Sequence, residues 1–107
     1  MTIKTNNAEK NTLAITALYN VIDPEINLNI VDLGLVYEIQ FNENSKEIVV
    51  TMTLTTQFCP MSESIVGATT QAMQQAFPED QIEVNLSFTP PWDQTMISEA
   101  GQIYLNI

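Results

Sequence analysis

The sequence predicts a two-layer α/β domain with the element order α-β-β-α-β, in which a three-stranded mixed sheet is covered on one face by helices. Two observations lead there. Three segments alternate apolar and polar residues with a period of two and are apolar on one side only, so one face of the sheet is covered and the other meets water. Two longer segments carry apolar residues at helical spacing, and the second is long enough to cross over between parallel strands. The 107 residues suit a single domain, with roughly residues 1–7 read as a flexible N-terminus.

Asn6 and Asn7 are suitable N-caps for a first helix from about Ala8 to Val21, where Leu13, Ala14, Ala17, Leu18 and Val21 recur at helical spacing. Asp23-Pro24 stops it, because the residue before proline is driven out of the helical region. A loop then runs to Gly34. In the first strand Leu35, Tyr37, Ile39 and Phe41 share one face, and Val36, Glu38 and Gln40 share the other. The polar stretch 42–46 is a hairpin turn. The second strand sets Ile48, Val50, Met52 and Leu54 against Val49, Thr51, Thr53 and Thr55. Cys59-Pro60 opens the second helix, since proline at the first helical position loses no hydrogen bond. Its apolar stripe is Met61, Ile65, Ala68, Ala72 and Ala76, widened by Val66, Met73 and Phe77, and Pro78 ends it. The third strand carries Ile82, Val84, Leu86 and Phe88, Pro90-Pro91 stops it, and an amphipathic tail around Met96 to Leu105 follows.

Composition removes much chemistry. Hydrophobic residues make up 45% of the chain, enough for a core, while 13 acids against 3 lysines give a net charge of −10. Phosphate neutralisation needs Lys and Arg, so nucleic acid and anionic membrane surfaces are not expected partners. With no histidine and one cysteine, the chain holds no Ser–His–Asp triad, Cys–His dyad, internal disulfide or Cys-rich zinc site. Its 3 glycines form no phosphate loop. The polar N-terminus lacks a signal-peptide core and no apolar run approaches a membrane span, which predicts a cytoplasmic protein with a reduced thiol.

The predicted topology gathers the unusual residues. A parallel relation between the second and third strands brings Asp32-Leu33-Gly34, Thr55 to Cys59 and Pro90-Pro91-Trp92-Asp93 to one end of the sheet, with Asp23-Pro24-Glu25 leading in. Cys59 at a helix N-terminus gains thiolate character from the helix dipole, opposed by nearby acids such as Asp32, Glu63 and Asp93. The alternative is a small buried hydrophobe beside a cap. Asp23 and Asp32 are candidate oxygen ligands beside that thiolate, or turn and cap residues; for Glu25 the turn role is favoured. The Thr51/Thr53/Thr55 ladder reads as a solvated sheet face, though Thr55 and Thr56 stand close enough to the edge to line a site with Pro91, and Trp92 is either a lid on the core or a docking anchor.

Asp23-Pro24-Glu25, the run Asn29 to Val36, Leu54-Thr55 with Cys59-Pro60-Met61, and Pro90-Pro91-Trp92 with Met96-Ile97-Ser98 occur in order. Together they resemble the PaaD/SufT-like family of iron–sulfur maturation proteins, the metal–sulfur cluster biosynthesis family, from about residue 12 onward. The family fold is similar to the C-terminal domain of NifU-type scaffolds. The resemblance implies assembly of iron–sulfur clusters or their delivery to apo-proteins, with Cys59 as the motif cysteine, Asp23, Glu25 and Asp32 as the acidic motif positions, and Trp92 as the motif tryptophan. It implies scaffold or apo-target proteins as partners and a transient cluster or iron as cargo; such a role does not require catalytic turnover, and the chain is not expected to be an enzyme. One thiol cannot hold a cluster, so a homodimer, a small thiol or a partner's cysteine would complete it. Longer relatives carry a cysteine-rich C-terminal segment that is missing here, which points away from a ring-oxygenase accessory role. A protein–protein adaptor with a structural Cys59 is the competing reading. A thiol enzyme using Asp32 as base is disfavoured by the absent histidine.

Overall fold

The structure, a computed structural model, describes residues 3–24, 26–55 and 62–106. Glu25, Thr56, Cys59, Pro60 and Met61 lie outside the described residues.

Helix α1 spans Ala8–Leu18, and its first turn is capped by Asn7, whose side chain accepts from the Lys10 amide at 3.0 Å. Strands β4 (Val36–Asn42) and β5 (Glu47–Met52) form the antiparallel hairpin. Helix α2 (Ser62–Ala76) then crosses over to β6 (Gln81–Leu86), which pairs parallel to β5. Burial follows the expected one-sided pattern. Ile39 and Phe41 of β4 and Ile48, Val50 and Met52 of β5 are buried beneath α1 and α2. Phe41 and Phe77 meet edge to face at 5.7 Å, joining the sheet to the end of α2. The mixed α/β class stands as the sequence predicts.

Among the described residues the sheet has four strands, not three, in the order β1 (Lys4–Thr5), β4, β5, β6. The added strand, β1 (Lys4–Thr5), lies within the stretch read as an N-terminal tail and pairs parallel to β4. Asn6 explains why so short a strand holds. Its side-chain amide donates to the Phe41 carbonyl at 2.8 Å and accepts from the Phe41 amide at 2.9 Å, continuing the ladder in place of backbone. A second correction lies in the segment read as a loop, where β2 (Ile22–Asp23) and β3 (Leu28–Asn29) form a small antiparallel hairpin. Its turn is made possible by Asn27 at φ 66°, a conformation asparagine tolerates.

The faces of β4 also differ from strict alternation. Val36 pairs with Met52 and Glu38 with Thr51, so a β-bulge at Tyr37 shifts the register. Val36 is therefore buried on the core side, while Tyr37 is half-buried beside Glu38. In α2 the buried stripe runs through Ile65, Thr69 and Met73, and Ala68 is exposed. Thr69 fits an apolar face because its hydroxyl donates to the Ile65 carbonyl at 2.8 Å. Leu13 of α1 and Leu86 of the outer strand β6 are exposed, whereas Ile82, Val84 and Phe88 are half-buried against the core.

After β6 the chain makes a 3₁₀ turn, Gln94–Met96, and helix α3, Glu99–Leu105, capped by Ser98, whose hydroxyl accepts from Gly101 N–H at 3.0 Å. This return segment touches the loop before β4 at Gly34. Gly34 has φ +76°, and a Cβ there would lie 2.2 Å from the Met96 carbonyl oxygen. Gly34→Ala is therefore expected to cost about 2 kcal/mol or more through the strained φ and the clash. Urea denaturation reads the cost as a lowered midpoint, and an unchanged midpoint would show that the two segments can separate freely.

Candidate functional site

At one end of the sheet Val36, Met52 and Leu86 lie in a row across β4, β5 and β6. The ladder continues beyond the row, with the Thr53 amide donating to the Leu35 carbonyl at 2.7 Å and the Ser87 amide to the Met52 carbonyl at 2.9 Å. Three stretches consequently meet there: the loop ending at Gly34, residues 53–55, and the return from Ser87 through Ser98. Residues 56–61 join Thr55 to α2 and carry Thr56 and Cys59 outside the described residues.

Asp32 is the hub of this end. Its amide donates to Asn29 Oδ1 at 2.8 Å, while Asn29 Nδ2 donates to Asp32 Oδ2 at 2.7 Å. Its other oxygen, Oδ1, accepts from the Ser98 hydroxyl at 2.8 Å, and its carbonyl accepts from the Ser98 amide at 2.7 Å. Both carboxylate oxygens thus bind donors from the protein itself, and charge-assisted bonds of this kind are stronger than neutral ones. Ser98 is both the cap of α3 and the tie to Asp32, a role its sequence reading missed. The visible signal was the Ser98-Glu99 pair opening a short apolar run.

Trp92 packs against the core, and its indole N–H donates to the Leu33 carbonyl at 2.7 Å. Asp32 and Trp92 are thereby brought into one neighbourhood through adjacent loop residues, and Trp92 has the contacts of a lid. Asp23, in β2, is buried, and its carbonyl accepts from the Asn27 amide at 2.7 Å. Thr55 is half-buried and Pro91 exposed. Asp93 caps the 3₁₀ turn by accepting from the Thr95 hydroxyl and amide, and these bonds hold its carboxyl below the usual carboxylate range. Among the described residues no three His, Cys, Asp or Glu side chains are grouped to hold a metal ion. No helix among them is long and apolar enough to cross a membrane.

Asp32→Asn removes one acceptor and turns an amide N–H toward a donor, either Ser98 or Asn29. The expected loss is about 1 kcal/mol, at the low end for hydrogen bonds to a charged group because these bonds are only part-buried. Urea unfolding followed by fluorescence of Trp92, the chain's 1 tryptophan, measures this directly. Wild-type stability in Asp32→Asn would contradict the structural role of the carboxylate.

Residues 14–86 match the profile of the iron–sulfur cluster assembly protein family. The Fe-S protein maturation auxiliary factor YitW of Bacillus subtilis is 36% identical over 91 residues, covering 85% of this chain and 88% of the relative. The Fe-S protein maturation auxiliary factor SufT of Staphylococcus aureus is 36% identical over 87 residues, covering 81% of this chain and 98% of its own. Among solved structures, a DUF59 domain from Bacillus anthracis superposes with a TM-score of 0.84 at 38% identity, covering 94% of this chain and 99% of that one. Rv1466 of Mycobacterium tuberculosis, described as associated with iron–sulfur complex assembly and repair, gives a TM-score of 0.51 at 33% identity over 94% of this chain and 87% of its own. Family profile, relatives and fold agree, and the chain belongs to the iron–sulfur cluster assembly protein family, as a SufT-like member.

Proposed function

We propose that this protein helps deliver iron–sulfur clusters to apo-proteins and that Cys59 is the residue through which it handles them. The observation that carries the reading is the convergence at the end of the sheet. The chain leaves that end at Thr55 on its way to Cys59, beside the loop that Asp32 and Trp92 hold in place. A thiolate is the natural ligand for iron in a cluster. The chain has 1 cysteine, so any cluster it binds is shared with a second thiol from another copy, a small thiol or the scaffold or target protein. A shared site is labile, which suits a cargo that must leave. Asp32 lies at this end. Asp32, bonded to Asn29 and Ser98, serves by fixing the loop, and Asp23, buried in β2 and engaged in its own interactions, is a second carboxylate ligand candidate. Transfer of an intact cluster requires no covalent turnover, in keeping with an auxiliary factor rather than an enzyme working in the cytoplasm.

The adaptor reading makes Cys59 a packing residue and Trp92 a docking anchor. The hydrogen bond from Trp92 to Leu33 and its packing on the core favour the lid instead. Cys59→Ser separates the two readings, because serine keeps the size and a capping oxygen. Folding stability should change by about 1 kcal/mol or less. Iron and sulfide content after anaerobic reconstitution, and client-enzyme activity in a deletion strain, should both fall sharply. Full restoration of client activity by folded Cys59→Ser would eliminate the cluster-ligand role.

A further inference from the structure

The sheet ends in two unlike edges. On one side β1 consists of Lys4 and Thr5, and the side chain of Asn6 closes the ladder beyond them. On the other, β6 (Gln81–Leu86) pairs with β5 in regular register along its whole length. The Gln81 amide donates to the Lys46 carbonyl and the Ser87 amide to the Met52 carbonyl, so Gln81, Glu83, Asn85 and Ser87 turn their backbone groups toward β5. The N–H and C=O groups of Ile82, Val84 and Leu86 therefore point out of the sheet. Among the described residues no other segment bonds to them. Folded proteins blunt such an edge with proline, lysine, a bulge or a covering segment. Gln81–Leu86 contains neither proline nor lysine, shows no bulge, and carries Glu83 as its one charged side chain.

The side chains of this strand are complementary to themselves. Ile82 and Val84 pack toward the core, Leu86 follows them on the same side with 42% exposure, and Gln81, Glu83 and Asn85 alternate onto the open face. An antiparallel pairing about a twofold axis at Val84 sets Ile82 opposite Leu86 of the second copy and Val84 opposite its own counterpart. These are the residues with outward backbone groups, and together they would exchange about six main-chain hydrogen bonds. The same register sets Glu83 opposite Asn85 in both directions. Asn85 Nδ2 donates to Glu83 of its own strand at 3.2 Å, which leaves its second N–H for the carboxylate across the axis. An axis at Glu83 would instead bring two carboxylates face to face, which is unfavourable. An axis at Asn85 would leave Gln81 and Ile82 facing residues beyond the end of β6. One register thus satisfies the backbone, the apolar row and the charge together.

We propose that β6 pairs with β6 of a second copy of this chain, joining the two sheets into one. The occupant is a second copy because twofold pairing consumes the long edge of both sheets and leaves the two-residue β1 strands outside, so assembly closes at the dimer. A foreign strand would leave its own outer edge open. Six strand residues span about 20 Å, a modest contact, so dimer and monomer exchange with concentration. The pairing goes beyond the cluster-delivery reading and needs no thiol, so failure of either leaves the other standing.

The test uses the full chain under reducing agent, which removes any disulfide through Cys59. Sedimentation equilibrium from about 1 μM to about 1 mM, the range of weak reversible complexes, should show a monomer–dimer equilibrium. Amide exchange at Ile82, Val84 and Leu86 should slow as the dimer fills, while Gln81 and Ser87 are protected throughout. Asn85→Glu sets carboxylates opposite Glu83 at both symmetric contacts and should weaken the dimer about tenfold. Asn85→Lys should tighten it. Asn20, exposed after α1, provides the control: Asn20→Glu and Asn20→Lys should each change affinity less than about twofold, the level of a general field effect. A chain that stays monomeric throughout would overturn the proposal, as would a dimer that leaves Val84 exchange unchanged. Equal weakening by Asn85→Glu and Asn20→Glu would also overturn it, because net charge alone would then govern association.

Discussion

The carboxylate of Asp32 joins two parts of the chain separated by 66 positions in sequence. On one side it closes a turn with Asn29, which shapes the loop entering β4. On the other it grips Ser98, and Ser98 in turn starts α3. Among the described residues the return segment from Pro90 to Ser98 has no ladder partner of its own. It is held by side-chain and backbone bonds to this loop: Ser98 to Asp32, Trp92 to Leu33, and the close approach of Met96 to Gly34. Releasing Asp32 would weaken these contacts together, because each depends on the same loop conformation.

The sheet fixes where that clasp stands. Antiparallel β4–β5 followed by parallel β5–β6 puts the start of one strand beside the ends of the other two, so loops distant in sequence open from a common edge. The bulge at Tyr37 adds a second consequence. It keeps Val36 in the core, turns the tyrosine to the open face, and lets its hydroxyl hold Pro90. Burial of Tyr37 raises its pKa, opposed by a hydrogen bond with Thr53 and reinforced by the charge of Asp93, so the hydroxyl remains a donor throughout the neutral range. One edge therefore supports both the clasped end leading to Cys59 and the tie from Tyr37 to Pro90 on the open face.

Much of this was legible because long periodic segments report their own environment. The hairpin, the crossover helix and the parallel third strand followed from spacing alone, and with them the meeting of Asp32 and Trp92. What stayed hidden was short or long-range. Lys4–Thr5 and the β2–β3 hairpin have strands of 2 residues each, too few for any period to show. A bulge breaks alternation at one position and transfers Tyr37 and Val36 between faces, which a strict period of two reads wrongly. Thr69 mimics an apolar residue only because a helical carbonyl accepts its hydroxyl. Whether Asp32 was an oxygen ligand or a turn residue stayed open in sequence because Ser98, the donor to its Oδ1, comes from the far end of the chain.

Native-state amide hydrogen exchange tests the central claim, that the return segment and the loop before β4 are one cooperative unit fastened at Asp32. The amides of Ser98, bonded to the Asp32 carbonyl, of Leu35, bonded to Ile30, and of Thr53, bonded to Leu35, report on the clasp, the loop and the sheet edge. They should share one opening free energy and lose protection together in Asp32→Asn. Rapid exchange of Ser98 while Leu35 and Thr53 stay protected would mean that the C-terminal segment opens alone, and would contradict the claim.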